Sequence, residues 1–257
     1  MQDQFSRTKM LLGDNGMTAL KNAKVAVFGI GGVGGFAAEG LARSGVFNIS
    51  LFDDDSICLT NVNRQVIATS RNVGKDKVEV MKLRIKEINP RSNVDANIMF
   101  YGNNTKQSID MAGYDYVIDA VDTVSSKITI VQEAISASVP VISCMGTGNK
   151  LNPTQLKVGD IFKTSVCPLA RVMRKELKQR RIQKLKVVYS EEAPLTPDDH
   201  GGELNCKFNC ICPPGAAAHC VKRRQVPGSV AFVPSVAGMI LASEVIKDIC
   251  GINSTIR

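Results

Sequence analysis

Residues 24–28 alternate through Val25 and Val27 and run straight into a cluster of glycines, a pattern that predicts a buried strand feeding a helix over 33–44. The same exchange of short apolar runs and helical spacing continues down the chain. Strands are predicted at 48–53, 93–99, 114–119 and 139–144, and helices at 75–88 and 125–138. In the first of these helices Val78, Met81, Leu83, Ile85 and Ile88 fall mostly at helical spacing, and Asn89-Pro90 ends it. The repeated β-α-β order predicts an α/β fold, a Rossmann-like, mostly parallel sheet with helices on both faces.

After Thr147 the texture changes. Strands at 155–161 and 186–189 flank a basic helix at 168–181 and extend the sheet, while 193–227 holds four cysteines and repeated prolines with no period, as a long crossover loop does. The expected organisation is one domain over 1–257, with a nucleotide-binding part at 1–150 and a C-terminal substrate-binding and dimerisation part at 151–257. The most hydrophobic stretch, 230–242, is broken by Pro234 and Gly238 and followed by Glu244, Lys247 and Asp248. It reads as a buried or subunit-interface helix and not as a membrane span.

Composition narrows the class further. The formal net charge of +8 and pI near 9.1 favour an anionic partner, phosphate or nucleic acid. Residues 1–9 are polar and lack the apolar core of a secretory signal, so a cytoplasmic location is expected, and the eight cysteines are then thiols or metal ligands instead of a disulfide framework.

Candidate chemistry begins at Gly29-Ile30-Gly31-Gly32-Val33-Gly34, between the first strand and its helix, where backbone and helix N-terminus can cradle phosphate. Asp53 follows 19 residues after Gly34, at the end of the second strand, placed to accept ribose hydroxyls. Alone, this fingerprint most often means NAD or FAD. Asn61, Arg64 and Lys77 change the balance, because they bring more donors and cations than a dinucleotide bridge needs. A triphosphate reacting at its α-phosphate needs them, since charge must be offset as pyrophosphate leaves. Asp122, in Asp119-Ala120-Val121-Asp122, can hold magnesium on those phosphates. No Walker pattern is present. Taken singly, Arg64 and Lys77 also fit surface charges, and Asp119 and Asp122 also fit caps of the following helix, with a structural role favoured for Asp119.

In this joint order the residues resemble the ubiquitin-activating-like superfamily, which includes the bacterial adenylyltransferases of thiamine and molybdopterin biosynthesis. The resemblance implies an ATP and Mg²⁺ site made of Gly29, Gly31, Gly32, Gly34, Asp53, Asp55, Asn61, Arg64, Gln65, Lys77 and Asp122, with Arg64, Lys77 and Asp122 in the catalytic role and Asp122 on the magnesium. It also implies a homodimer in which Arg7, in Phe5-Ser6-Arg7-Thr8, reaches the neighbouring subunit's nucleotide.

The sulfur-carrier branch of that superfamily has paired Cys-x-x-Cys motifs, and this chain has none. Cys206, Cys210, Cys212 and Cys220 with His219 keep a metal site or sulfur chemistry open at spacings unlike the usual zinc knuckles. Residues 161–165, 168–177 and 228–234 are instead similar to the tRNA threonylcarbamoyladenosine dehydratase branch, except that Cys167 stands where an acid is expected before Pro168-Leu169-Ala170. That branch implies ATP-dependent cyclisation of a threonylcarbamoyl side chain in the anticodon loop through an acyl-adenylate. Its substrate would be a whole tRNA, held by phosphate contacts from Arg171, Arg174, Lys175, Lys178 and Arg181, within a basic run that continues through Arg180, Lys184 and Lys186. The bland reading of this run is a solvated helix face. Lys222, Arg223 and Arg224 could add to it. The competing function is an adenylyltransferase for a sulfur carrier ending in Gly-Gly, and the superfamily also implies a cysteine desulfurase or sulfur-acceptor protein as a partner. An NAD-type Rossmann protein is the third reading.

Overall fold

The computed structural model describes residues 2–198 and 227–252. Strands β1 (Lys24–Phe28), β2 (Asn48–Phe52), β3 (Asn93–Asn97), β4 (Tyr116–Asp119), β5 (Val141–Cys144), β6 (Leu156–Asp160) and β7 (Lys186–Ser190) form one sheet in the order β3-β2-β1-β4-β5-β7-β6. All neighbours are parallel except β6, which returns antiparallel along β7. The helices are α1 (Ser6–Asn22), α2 (Gly34–Ser44), α3 (Lys77–Ile88), α4 (Val124–Ser136), α5 (Pro168–Gln179) and α6 (Phe232–Ile249). This is the doubly wound arrangement expected from the pattern, and β6 and β7 join it as predicted.

The central strands read as continuous apolar runs because both faces are covered, and Val25, Ala26, Val27 and Phe28 are all fully buried. One face packs on α2, α3 and α6, and the other on α4 with Tyr101 and Met111. A further cluster beneath α5 joins Met145, Ile161, Met173 and Leu177.

Helix α1 has no counterpart in the predicted elements. Its glycines and polar residues blur the period, and Gly13, at φ +69°, kinks it. It is held by tertiary contact: Leu20 is buried in the core, and the Cys250 thiol lies against the Gly16 carbonyl.

Helix α6 spans 232–249, longer than the 230–242 run, because Pro234 sits in its first turn, where it is tolerated, and Gly238 is a contact point. A Cβ at Gly238 would lie 2.3 Å from the Val33 carbonyl oxygen, so only glycine lets α6 lie on the start of α2. No helix among the described residues is long and apolar enough to cross a membrane.

The stems of the predicted crossover loop meet at Asn149. Its N–H donates to the Gly228 carbonyl (2.8 Å), its Oδ1 accepts from the Gly228 N–H (2.7 Å), and its carbonyl accepts from Leu195 N–H (2.7 Å). Most of that loop, with Cys206, Cys210, Cys212, His219, Cys220 and Lys222 to Arg224, lies outside the described residues.

Candidate functional site

The sheet order reverses between β1 and β4, and in open α/β sheets the carboxyl ends of strands at such a reversal form a crevice. Here that crevice is a cleft of about 530 Å³. Its walls come from the ends of β1 (Phe28, Gly29), β2 (Phe52 to Asp55) and β4 (Ala120 to Thr123), with Met99, Phe100 and Tyr101 following β3 and Ser126 from α4.

Of the glycine turn, Gly29 lines the cleft. A Cβ at Gly34 would fall 1.7 Å from the Gly29 carbonyl oxygen, so the turn into α2 closes only around glycine. Helix α2 starts without a side-chain cap; Gly35 N–H donates to the Gly31 carbonyl (3.1 Å), and a helix N-terminus of this kind favours an anion. Gln65 and Arg64 back this turn: Gln65 is buried beside Gly31, and its Oε1 has no hydrogen-bond partner among the described residues. Arg64 is half-buried, packs beside Gly32, and donates from Nη1 to the Thr60 carbonyl (3.0 Å) and Asn63 Oδ1 (3.1 Å).

Asp53 is fixed by its neighbours. Its Oδ2 accepts from Ile30 N–H (2.6 Å) and its Oδ1 from Asp55 N–H (2.9 Å), which ties the end of β2 to the glycine turn. Lys77, buried at the first turn of α3, donates to Asp55 Oδ2 at 2.6 Å and lies 3.5 Å from Asp53 Oδ1. Burial alone would lower the Lys77 pKa, but the carboxylates of Asp53, Asp55 and Asp122 outweigh it and hold the ammonium above its ordinary range. Burial pushes the Asp53 carboxyl up; Lys77 opposes that shift and Asp55 adds to it.

Asp122 is exposed and lines the same cleft, with its charge acting on Lys77. Thr123 occupies the N-cap position of α4, so neither Asp122 nor Asp119 caps that helix. Asp119 is fully buried behind the cleft, where its Oδ2 accepts from Lys127 (3.1 Å) and Ser143 (2.5 Å), and Lys127 also donates to the Cys144 carbonyl (2.7 Å). The structural reading of Asp119 is the one the geometry supports. Among the described residues, the one group of three carboxylates close enough to share a cation is Asp53, Asp54 and Asp55, which line the same cleft as Asp122.

Gly29, Asp53, Asp55 and Asp122 therefore line one cleft, with Lys77 beneath it and Arg64 and Gln65 behind the glycine turn. Asn61 is on the same loop, but its Oδ1 accepts from Cys58 N–H (3.0 Å) and closes the turn at Leu59–Asn61. Arg7 is exposed on α1 and does not line the cleft of its own chain. On α5, Arg171, Lys175 and Lys178 are exposed, as is Arg181 just beyond it. Arg174 differs: its guanidinium donates to the Thr164 carbonyl (3.1 Å) and hydroxyl, so it fastens α5 to the preceding turn. Arg180 pairs with Glu176, and Lys186 with Glu244 and Asp248.

The sequence reading missed the aromatic part of the cleft lining. Phe28 stacks on Phe52 (4.5 Å between centroids) and tilts against Tyr101 (4.8 Å), which makes an aromatic floor. The available signal was Phe100-Tyr101 just past a strand end, since strand ends are where such sheets bind ligands. Lys127 was missed because it sits inside an apolar helical run. The described cysteines are free thiols, and burial pushes the Cys144 thiol up to about 12. Cys167 is buried at the N-cap position of α5 without a capping bond, packed among apolar side chains.

The fold and this cleft define a nucleotide-binding α/β protein. The ThiF family model matches residues 5–257, and the chain belongs to that family. It is 43% identical over 251 residues to tRNA threonylcarbamoyladenosine dehydratase of Bacillus subtilis (strain 168), covering 97% of this chain and 95% of that protein. It is similar in structure to the Escherichia coli tRNA N6-threonylcarbamoyladenosine dehydratase TcdA, solved in complex with ATP and with AMP. That likeness has a TM-score of 0.82 and 32% identity, covering 96% of this chain and 94% of TcdA. Similarity to the adenylyltransferase and sulfurtransferase UBA4 of Vanderwaltozyma polyspora is 35% over 138 residues, covering 54% of this chain and 31% of that protein.

Proposed function

We propose that this chain uses ATP to dehydrate threonylcarbamoyladenosine in tRNA, closing the side chain into a ring and releasing AMP and pyrophosphate. The observation that carries this reading is the 43% identity to a dehydratase of that name over nearly the full length of both chains. Similarity to the sulfurtransferase UBA4 stops near half of this chain, so the sulfur-carrier activity is not carried forward.

In this reading ATP lies across the cleft. The aromatic floor and Met99 to Tyr101 take the base, Asp53 takes the ribose hydroxyls, and the glycine turn with the start of α2 takes the phosphates. Asp122 and the carboxylates of Asp53, Asp54 and Asp55 are hard oxygen donors suited to Mg²⁺ on the phosphates, where the ion would neutralise charge. Attack by the threonyl carboxylate on the α-phosphate forms the acyl-adenylate and expels pyrophosphate, with Arg64 and Lys77 offsetting the charge that develops. A nucleophile within the same side chain then takes the activated carbonyl and AMP leaves. Because this nucleophile is tethered, proximity supplies much of the rate, and no protein thiol is required.

Exposed Arg171, Lys175, Lys178 and Arg181 would meet the phosphates of the tRNA. The exposed Phe232, Val236 and Met239 of α6 and Met10 and Leu11 of α1 suit a homodimer interface, which would carry Arg7 towards a partner's nucleotide. A cytoplasmic location follows from the tRNA substrate.

The test is incubation with ATP, magnesium and tRNA carrying threonylcarbamoyladenosine, followed by nucleoside mass spectrometry. A product lighter by one water that is lost with Arg64→Ala supports the function. An unchanged nucleoside, with pyrophosphate exchange that responds to a Gly-Gly-tailed carrier, overturns it.

A further inference from the structure

A second concavity, of about 370 Å³, runs between α4 and α5 and adjoins the nucleotide cleft. The two are joined through the start of α4: Thr123 and Ser126 line the cleft, while Val124 and Ser125, between them in the chain, line the groove. We infer that this groove binds the base of an RNA nucleotide flanking the one that reacts. The inference rests on the tRNA reading above and adds to it a place for a second base.

Three features fit that occupant. The walls offer an apolar surface from Val124, Ile128 and Val172, of which Val172 is 46% exposed. Beside it stand two carboxamides, the group that matches the mixed donors and acceptors of a base edge. The Gln132 side chain makes no hydrogen bond among the described residues. Asn103 accepts from the Thr129 hydroxyl at Oδ1 (3.0 Å) and keeps its amide donors. Finally, the α5 rim is cationic. Arg171 and Lys175 are exposed and adjoin Val172 and Glu176 in the chain, and the one acid lining the groove, Glu176, is already paired with Arg180 at 2.8 Å. An apolar wall, carboxamide donors not taken up by the fold and cations at the edge suit an unstacked base with its phosphate outside. Bases in RNA loops are read in that splayed form.

The experiment measures tRNA dehydration by wild-type protein, Val172→Ser and Gln132→Ala. Substrates are intact tRNA and tRNAs with an abasic residue 5′ or 3′ of the modified adenosine. Both substitutions are neutral, so neither adds repulsion towards phosphate, and ATP affinity by calorimetry checks that each variant is folded. With intact tRNA, each variant is expected to raise KM about tenfold, the size of one good base contact, with kcat and ATP affinity unchanged. With one of the two abasic substrates, wild type and variants should become equal. Unchanged KM, or a penalty that persists on both abasic substrates, overturns the assignment while the function stands. Wild-type protein that leaves the modified nucleoside intact overturns the function and the groove assignment together.

Discussion

Two buried lysines, each held by aspartate, sit on either side of the cleft floor and differ in what they can reach. Lys77 bonds to Asp55 and lies near Asp53, and both carboxylates line the cleft. Lys127 bonds to Asp119, Ser143 and the Cys144 carbonyl, and all of these groups are sealed from solvent. The first cluster keeps its charge where an incoming phosphate can share it. In the second, every charge is already matched by groups that never meet a ligand. Burial of a cation is therefore not in itself a sign of function; what matters is whether its partners open on a site.

Lys127→Met should break the comparison most visibly, because it strands the Asp119 carboxylate in the core. A loss of about 3–5 kcal/mol in urea unfolding is expected. A loss below about 1 kcal/mol would show that the cluster relaxes to water. Lys77→Met is expected to leave folding largely intact and lower the rate of ATP–pyrophosphate exchange by about 10²–10³. If it unfolds the protein as readily as Lys127→Met, the two lysines do the same work and the contrast fails. Asp122→Asn should raise the magnesium needed for half-maximal activity about tenfold, with melting temperature unchanged.

Glu39 of α2 sharpens the comparison as an intermediate case. Burial would raise its carboxyl pKa, but Arg84 and Arg43 outweigh that and hold it below the ordinary carboxylate range. A lowered folded-state pKa means that the stability contributed is full above the unfolded value of 4.5 and fades as pH falls through the folded one. Glu39→Gln should therefore flatten the acid limb of the stability profile and leave the neutral activity unchanged. An acid limb identical to wild type would sink this account.

The parallel half of the sheet was legible because strands covered on both faces carry apolar runs, as 25–28 and 116–118 do. Those segments fell within two residues of their predicted bounds. The order of Asp53, Lys77 and Asp122 along the chain marked them as candidates, and the structure brings them to one cleft. Helix α1 was not, because its stability comes from Leu20 and Cys250 across the fold and not from its own period. The aromatic floor escaped because Phe28, Phe52 and Tyr101 come from three separate strand ends and meet only when the sheet is ordered. Arg174 read as one cation among many, since nothing local marks Thr164 as its partner.

The seating of α6 on α2 has a consequence for the order in which the protein becomes active during its synthesis. The glycine turn and β1 to β4 leave the ribosome first and can begin to pair. The flank of α2, which presents the phosphate-binding turn, stays bare until residues 232–249 arrive and Gly238 meets Val33. Nucleotide binding is therefore expected to wait until α6 has been made, so a nascent chain halted before α6 should neither hold ATP nor release pyrophosphate.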